Sequence, residues 1–143
     1  MHIEEILARK ARPDVVTIGP DETVRTLLGV LASHGIGACV VSPDGSRLAG
    51  IVSERDVVRR LHTDESLLDL EVGEIMTPAV VTCGPEATVD ELMTIMTERR
   101  IRHVPVLRDG VLAGIVSIGD LVKHRIDELA FERDQLEAYV HQT

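Results

Sequence analysis

The sequence predicts an α+β protein built as a tandem pair of βαββα-type repeats with pseudo-two-fold symmetry and a C-terminal helical extension. Three observations carry this: a long internal repeat, the same helix and strand patterning in both copies, and a helical apolar stripe that continues past the second copy. The repeat fixes the architecture. Pro13-Asp14-Val15-Val16-Thr17-Ile18-Gly19-Pro20 lies over Pro78-Ala79-Val80-Val81-Thr82-Cys83-Gly84-Pro85, an offset of 65 residues. The register runs on through Leu27 over Leu92, Ile36 over Ile101 and Asp44-Gly45 over Asp109-Gly110, where one residue is lost. It resumes with Leu48-Ala49-Gly50-Ile51-Val52-Ser53 over Leu112-Ala113-Gly114-Ile115-Val116-Ser117 and with Asp56 over Asp120. So many matches in one order identify a duplication.

Each copy opens with a short β-branched extended piece, 15–18 or 80–83, closed by Gly-Pro, a turn signal. A helix follows, with apolar residues at 24, 27, 28 and 31 and again at 89, 92, 93 and 96, the stripe of an amphipathic helix. Two strands come next, 36–41 with 48–52 and 101–107 with 111–116, joined by Gly-containing turns and therefore read as hairpins. A closing helix starts at Ser53 or Ser117. Ile3, Ile6 and Leu7 resemble Val72, Ile75 and Met76, so each copy also has a short lead-in helix or turn, and copy one inserts four residues after it that bring in Arg9 and Lys10. The predicted units are 1–62, a polar acidic connector 63–71, 72–125, and a helical extension 126–143. The second closing helix, continuing into the extension, carries apolar residues at 122, 126, 129, 136 and 140, a face that one module does not cover and that predicts packing against a partner chain.

Composition narrows the function. Hydrophobic content is 44%, enough for a core, but aromatic content is 1%, so that core is aliphatic. Neither stacking platforms for bases nor a basic surface exists at a net charge of −9, which argues against nucleic acid. No apolar run approaches the roughly 18 residues that span a bilayer, and the segment Met1-His2-Ile3-Glu4-Glu5 is no signal peptide. Cys39 and Cys83 lack metal-ligand spacing and read as reduced core thiols of a cytoplasmic protein. His34, His62, His124 and His141 fall at helix ends or surfaces without metal spacing. No Gly-x-Ser-x-Gly elbow, His-Glu-x-x-His helix or phosphate-binding Gly-Lys loop is present, and the carboxylates at 56 and 120 lie in separate repeats. Catalysis is not expected, and no catalytic cofactor or metal.

The stretches Gly50-Ile51-Val52-Ser53-Glu54-Arg55-Asp56, Gly114-Ile115-Val116-Ser117-Ile118-Gly119-Asp120 and Ile101-Arg102-His103-Val104-Pro105-Val106 resemble the cystathionine β-synthase (CBS) domain family. The chain as a whole resembles a stand-alone CBS pair, or Bateman module, over about residues 1–125. The resemblance implies a tandem pair of CBS motifs that often dimerises, with clefts between the copies for adenosine-containing ligands: AMP, ADP, ATP or other adenosyl compounds. It implies that Asp56 and Asp120 accept from ribose hydroxyls, with Ser53 and Ser117 near phosphate or ribose. It implies adenine pockets lined by Val16 with Gly37 and Ala38, and by Val81 with Arg102 and His103.

Physical chemistry supplies a second reading at each motif. Ser-x-x-Asp before a helix is a helix cap, and the same residues leave a helix N-terminus open to an anion. Arg102 and His103 are either a solvated basic helix end or positive charge for phosphates. Because copy one has Gly37 and Ala38 at those positions and Gly119 replaces Arg55, the two clefts are expected to be chemically unequal. The expected function is a non-catalytic, homodimeric sensor of adenine nucleotide acting on an unidentified protein target. The alternative is an interaction or dimerisation scaffold with vestigial clefts.

Overall fold

The computed structural model describes residues 1–10, 15–78 and 81–141. Its elements, in order, are α1 (Ile3–Arg9), β1 (Thr17–Ile18), α2 (Val24–His34), β2 (Ala38–Val41), β3 (Gly50–Ser53), α3 (Glu54–Leu61), a 3-10 turn (Glu65–Asp69), α4 (Val72–Ile75), α5 (Val89–Arg99), β4 (His103–Arg108), β5 (Val111–Ser117) and α6 (Ile118–His141). The βαββα order is present in copy one as β1-α2-β2-β3-α3, with β1 parallel to β2 and β2 antiparallel to β3. In copy two the first strand shrinks to one parallel bridge, Cys83 to Val106, beside the β4–β5 hairpin. Val80, predicted to be in that strand, lies outside the described residues.

The hairpin turns differ for a local reason. Asp109 and Gly110 both have positive φ (53° and 79°), the two-residue turn that matches strand twist. Copy one carries one residue more, and its loop is closed by Ser42 and Asp44 side chains that accept from the N–H groups of Gly45, Ser46 and Arg47.

Each copy has its own aliphatic core. The predicted helix stripes bury Val24, Leu27 and Leu31 in one, and Val89, Leu92 and Met96 in the other, while Leu28 lies at the surface. The connector is more than a polar link: Leu67, on its 3-10 turn, is fully buried in the first core.

The lead-in helices are exchanged. Ile3 and Ile6 of α1 fill the second core, whereas Val72 and Ile75 of α4 fill the first. The backbone bonds that seat them repeat with the pseudo-two-fold. Ile3 N–H donates to Ala87 O (2.8 Å) as Val72 N–H does to Glu22 O (2.8 Å), and Val89 N–H to Met1 O (3.1 Å) as Val24 N–H does to Leu70 O (2.9 Å).

The symmetry breaks where the lead-ins end. Pro78 biases Thr77 toward extended backbone, α4 stops after Ile75, and Thr77 exchanges two backbone bonds with Ile51 (2.8 and 2.9 Å). The corresponding proline is four residues later in copy one, at position 13, so α1 runs to Arg9. Lys10 then reaches the edge of β5, where its ammonium donates to Ile115 O at 2.8 Å.

Candidate functional site

Two clefts lie between the copies. The first has a cavity of about 360 Å³. It brings Val16, Gly37 and Ala38 of copy one against His103, Ser117 and Asp120 of copy two. The second, about 300 Å³, brings Ser53 and Asp56 of copy one against Arg102 and His103 of copy two, with Gly37 and Ala38 between them. Both volumes are near the lower end of ligand-pocket sizes. Nine of the ten site residues predicted from sequence are therefore gathered into these two clefts. Val81 packs against the second core instead and lines neither cleft among the described residues.

The Ser-x-x-Asp motifs are helix caps. Asp56 Oδ2 accepts from Ser53 N–H (2.8 Å) and Ser53 Oγ (3.1 Å), while Asp56 N–H donates to Ser53 Oγ (3.3 Å). Asp120 Oδ2 accepts from Ser117 N–H (2.9 Å), and its N–H donates to Ser117 Oγ (3.1 Å). In both motifs the cap uses Oδ2, and among the described residues no hydrogen bond falls on Oδ1. A carboxylate oriented this way holds the helix start with one oxygen and keeps an acceptor for a hydroxyl on the other.

The clefts differ in electrostatics. The Lys10 ammonium sits 3.0 Å from Asp120 Oδ2. Burial opposes ionisation of Asp120, but the Ser117 N–H and the Lys10 ammonium outweigh it and hold the carboxyl below its usual range. Nothing in the motif pattern pointed to Lys10; the four-residue insertion was its only trace. The expectation that His103 brings positive charge is corrected. Burial first, then the nearby Lys10 and Arg102 charges, pushes its pKa below 6.5 despite the attraction of Asp120, so it is neutral at pH 7. Arg102 is exposed. Thr77, Arg55, Arg59 and Arg100 also line the Asp56 cleft.

Away from the clefts, burial raises both thiols, Cys39 and Cys83, to about 11, with Glu86 adding to the effect at Cys83. They stay protonated and unreactive at neutral pH. His124, expected at a surface, is buried on the inner side of α6 and meets Glu128 through Nε2 at 3.0 Å. No helix of the described residues is long and apolar enough to cross a membrane.

Comparison with known proteins identifies the fold and the family. A CBS-domain containing protein from Agrobacterium tumefaciens is 45% identical and superposes with a TM-score of 0.82, covering 87% of this chain and 99% of the other. A CBS domain protein from Pyrobaculum aerophilum, solved in complex with AMP, is 28% identical with a TM-score of 0.72, covering 84% of this chain and 89% of the other. A mitochondrial CBS domain-containing protein of Arabidopsis thaliana is 39% identical over 125 residues, 84% of this chain and 61% of that protein. The chain spans 61, 40 and 59% of the length of three such curated relatives. The CBS domain model itself matches twice, over residues 3–63 and 72–127, one match to each copy of the repeat, and the chain belongs to the CBS domain family.

Proposed function

We propose that the chain is a non-catalytic regulatory module that binds an adenosine-containing ligand, AMP, ADP or ATP, in the clefts between its two CBS motifs. One observation carries the reading: each cleft holds a capping carboxylate with an oxygen to spare, facing residues of the other copy. In this reading Asp56 and Asp120 take the ribose hydroxyls and Ser53 and Ser117 lie beside ribose or phosphate. Val16, Gly37 and Ala38 flank adenine in one cleft, and Arg102 and His103 flank the ligand in the other. The AMP complex of the Pyrobaculum aerophilum relative supports the ligand class. A ligand touching both copies shifts their arrangement through its different affinities for the two states. That change is passed to a protein target.

We also infer a cytoplasmic homodimer. Leu129, Leu136 and Val140 of α6 are more than half exposed, an apolar face suited to a second copy of itself. Protonated, unpaired thiols fit a reducing compartment.

A second reading has one observation in its favour. Lys10 already pairs with Asp120, as it would in a scaffold whose clefts are vestigial and whose working part is α6. Thermal melts with AMP, ADP, ATP, NAD and S-adenosylmethionine separate the two readings. At a hundredfold excess over Kd a bound ligand adds about 2.7 kcal/mol, and Asp56→Ala and Asp120→Ala abolish the shift cleft by cleft. A flat series with every compound establishes the scaffold.

A further inference from the structure

The two clefts are not alike in charge, and the difference has a direction. Arg55 and Arg59 stand one helical turn apart on α3, and Arg100 and Arg102 flank the start of copy two's hairpin; all four line the Asp56 cleft. Among the described residues none of the four is in an ion pair, so all four guanidinium groups are available within one cleft. Among the described residues only Glu54 and Asp56 oppose them within the cleft.

The repeat shows what the other cleft has in their place. Arg100 corresponds to Gly35, Arg102 to Gly37 and Arg55 to Gly119. Among the described residues Lys10, paired with Asp120, is the one Lys or Arg lining the Asp120 cleft itself. Arg9 and Lys123 line a separate pocket that shares Lys10 and Asp120, and burial pushes His103 toward its neutral form. Arg100 is also held in the left-handed region (φ 56°, ψ 42°), the conformation of Gly35 (φ 62°, ψ 40°). A non-glycine residue is strained there, and such strain is commonly retained at working sites.

We propose, resting on the ligand-binding reading above, that the Asp56 cleft selects adenosine polyphosphates, while the Asp120 cleft takes adenosyl compounds bearing at most one phosphate. Each phosphate added to the ligand brings negative charge that four free guanidinium groups can meet bidentately. Among the described residues the Asp120 cleft itself is lined by no unpaired Lys or Arg.

Calorimetric titration of the full chain with adenosine, AMP and ATP tests the assignment. The informative variant is Arg100→Gly combined with Arg102→Gly, which writes the residues of copy one into copy two. Its backbone is already suited to glycine at position 100, so folding is preserved, and circular dichroism checks that. The expected result is at least a tenfold loss of ATP affinity, about the value of one charge-assisted contact. Adenosine affinity should stay within about threefold, well under one such contact. Asp56→Ala should remove the ATP site, and Asp120→Ala the adenosine site. If ATP binding is insensitive to the double glycine variant, or is lost with Asp120→Ala alone, the charge assignment is wrong while ligand binding stands. If none of the three compounds binds the wild type, the ligand-binding reading and this assignment fail together.

Discussion

Gly50 and Gly114 occupy equivalent places in the repeat, yet adding one methyl group to each should have unequal costs. A Cβ on Gly50 would lie 2.7 Å from the Thr77 carbonyl oxygen and 2.7 Å from Met76 Sδ. The carbonyl cannot step aside, because Thr77 is tied to Ile51 by two backbone bonds of 2.8 and 2.9 Å. Relieving the overlap means pushing that segment off β3. Overpacking of this kind costs about 1–3 kcal/mol, and weakening two backbone bonds adds about 1 kcal/mol or more. Gly50→Ala is therefore expected to cost about 2–4 kcal/mol, or a fall in Tm of about 6–14 °C for a chain of this size. A Cβ on Gly114 would also meet an atom at 2.7 Å, but that atom is Leu7 Cδ2, the end of a side chain that can turn away. Gly114→Ala should cost about 1 kcal/mol, partly offset by the relief of removing glycine from a strand. With no tryptophan in the chain, urea unfolding followed by far-ultraviolet circular dichroism is the suitable assay. Equal losses for the two variants, or a larger one for Gly114→Ala, would refute the reasoning that backbone contact decides the difference.

Three other outcomes are expected. The carboxyl of Asp120 is held below its ordinary range, so the stability its charge contributes is complete above about pH 5 and is lost as pH falls through the folded-state value. Lys10→Met should therefore separate from wild type most at neutral pH and converge with it as pH falls through the folded-state value; a gap that does not close with acid contradicts the pairing. His103 should titrate below 6.5 in an NMR pH series. As a histidine with a lowered pKa, it contributes stability above about pH 6.5 that is lost on acidification, and a midpoint at or above 6.5 counts against its burial. Removing residues 126–143 should halve the mass seen by light scattering, and an unchanged mass means that the extension is not the dimer contact.

Much of this was legible from residues alone, for identifiable reasons. Duplication doubles every local signal, so the helix stripes from Val24 and Val89 and the Ser-x-x-Asp caps could each be checked against a second instance. Local chemistry also sufficed for the Asp109-Gly110 turn, since positive φ at both positions is what those residues tolerate. What stayed hidden was tertiary. A repeat identifies the Ile3-Ile6 segment as a lead-in but contains nothing about which core it enters. Lys10 arrives at Asp120 only because α1 is longer than α4. The neutrality of His103 depends on burial that no spacing reveals, and Leu67 looked like part of an acidic link until the first core was seen to close over it.

The exchange of lead-in helices affects the order in which the molecule can assemble. The first core draws on one unbroken stretch, from Val16 to Met76, and can close as soon as that stretch has left the ribosome. The second needs Ile3 and Ile6, made before the first core's stretch, together with Val89 to Leu121, made after it. Its closure joins ends separated by most of the chain, a step that is entropically costlier and slower. Until then Ile3 and Ile6 stay uncovered, and a substitution placed there would injure the half of the repeat pair farther from it in sequence.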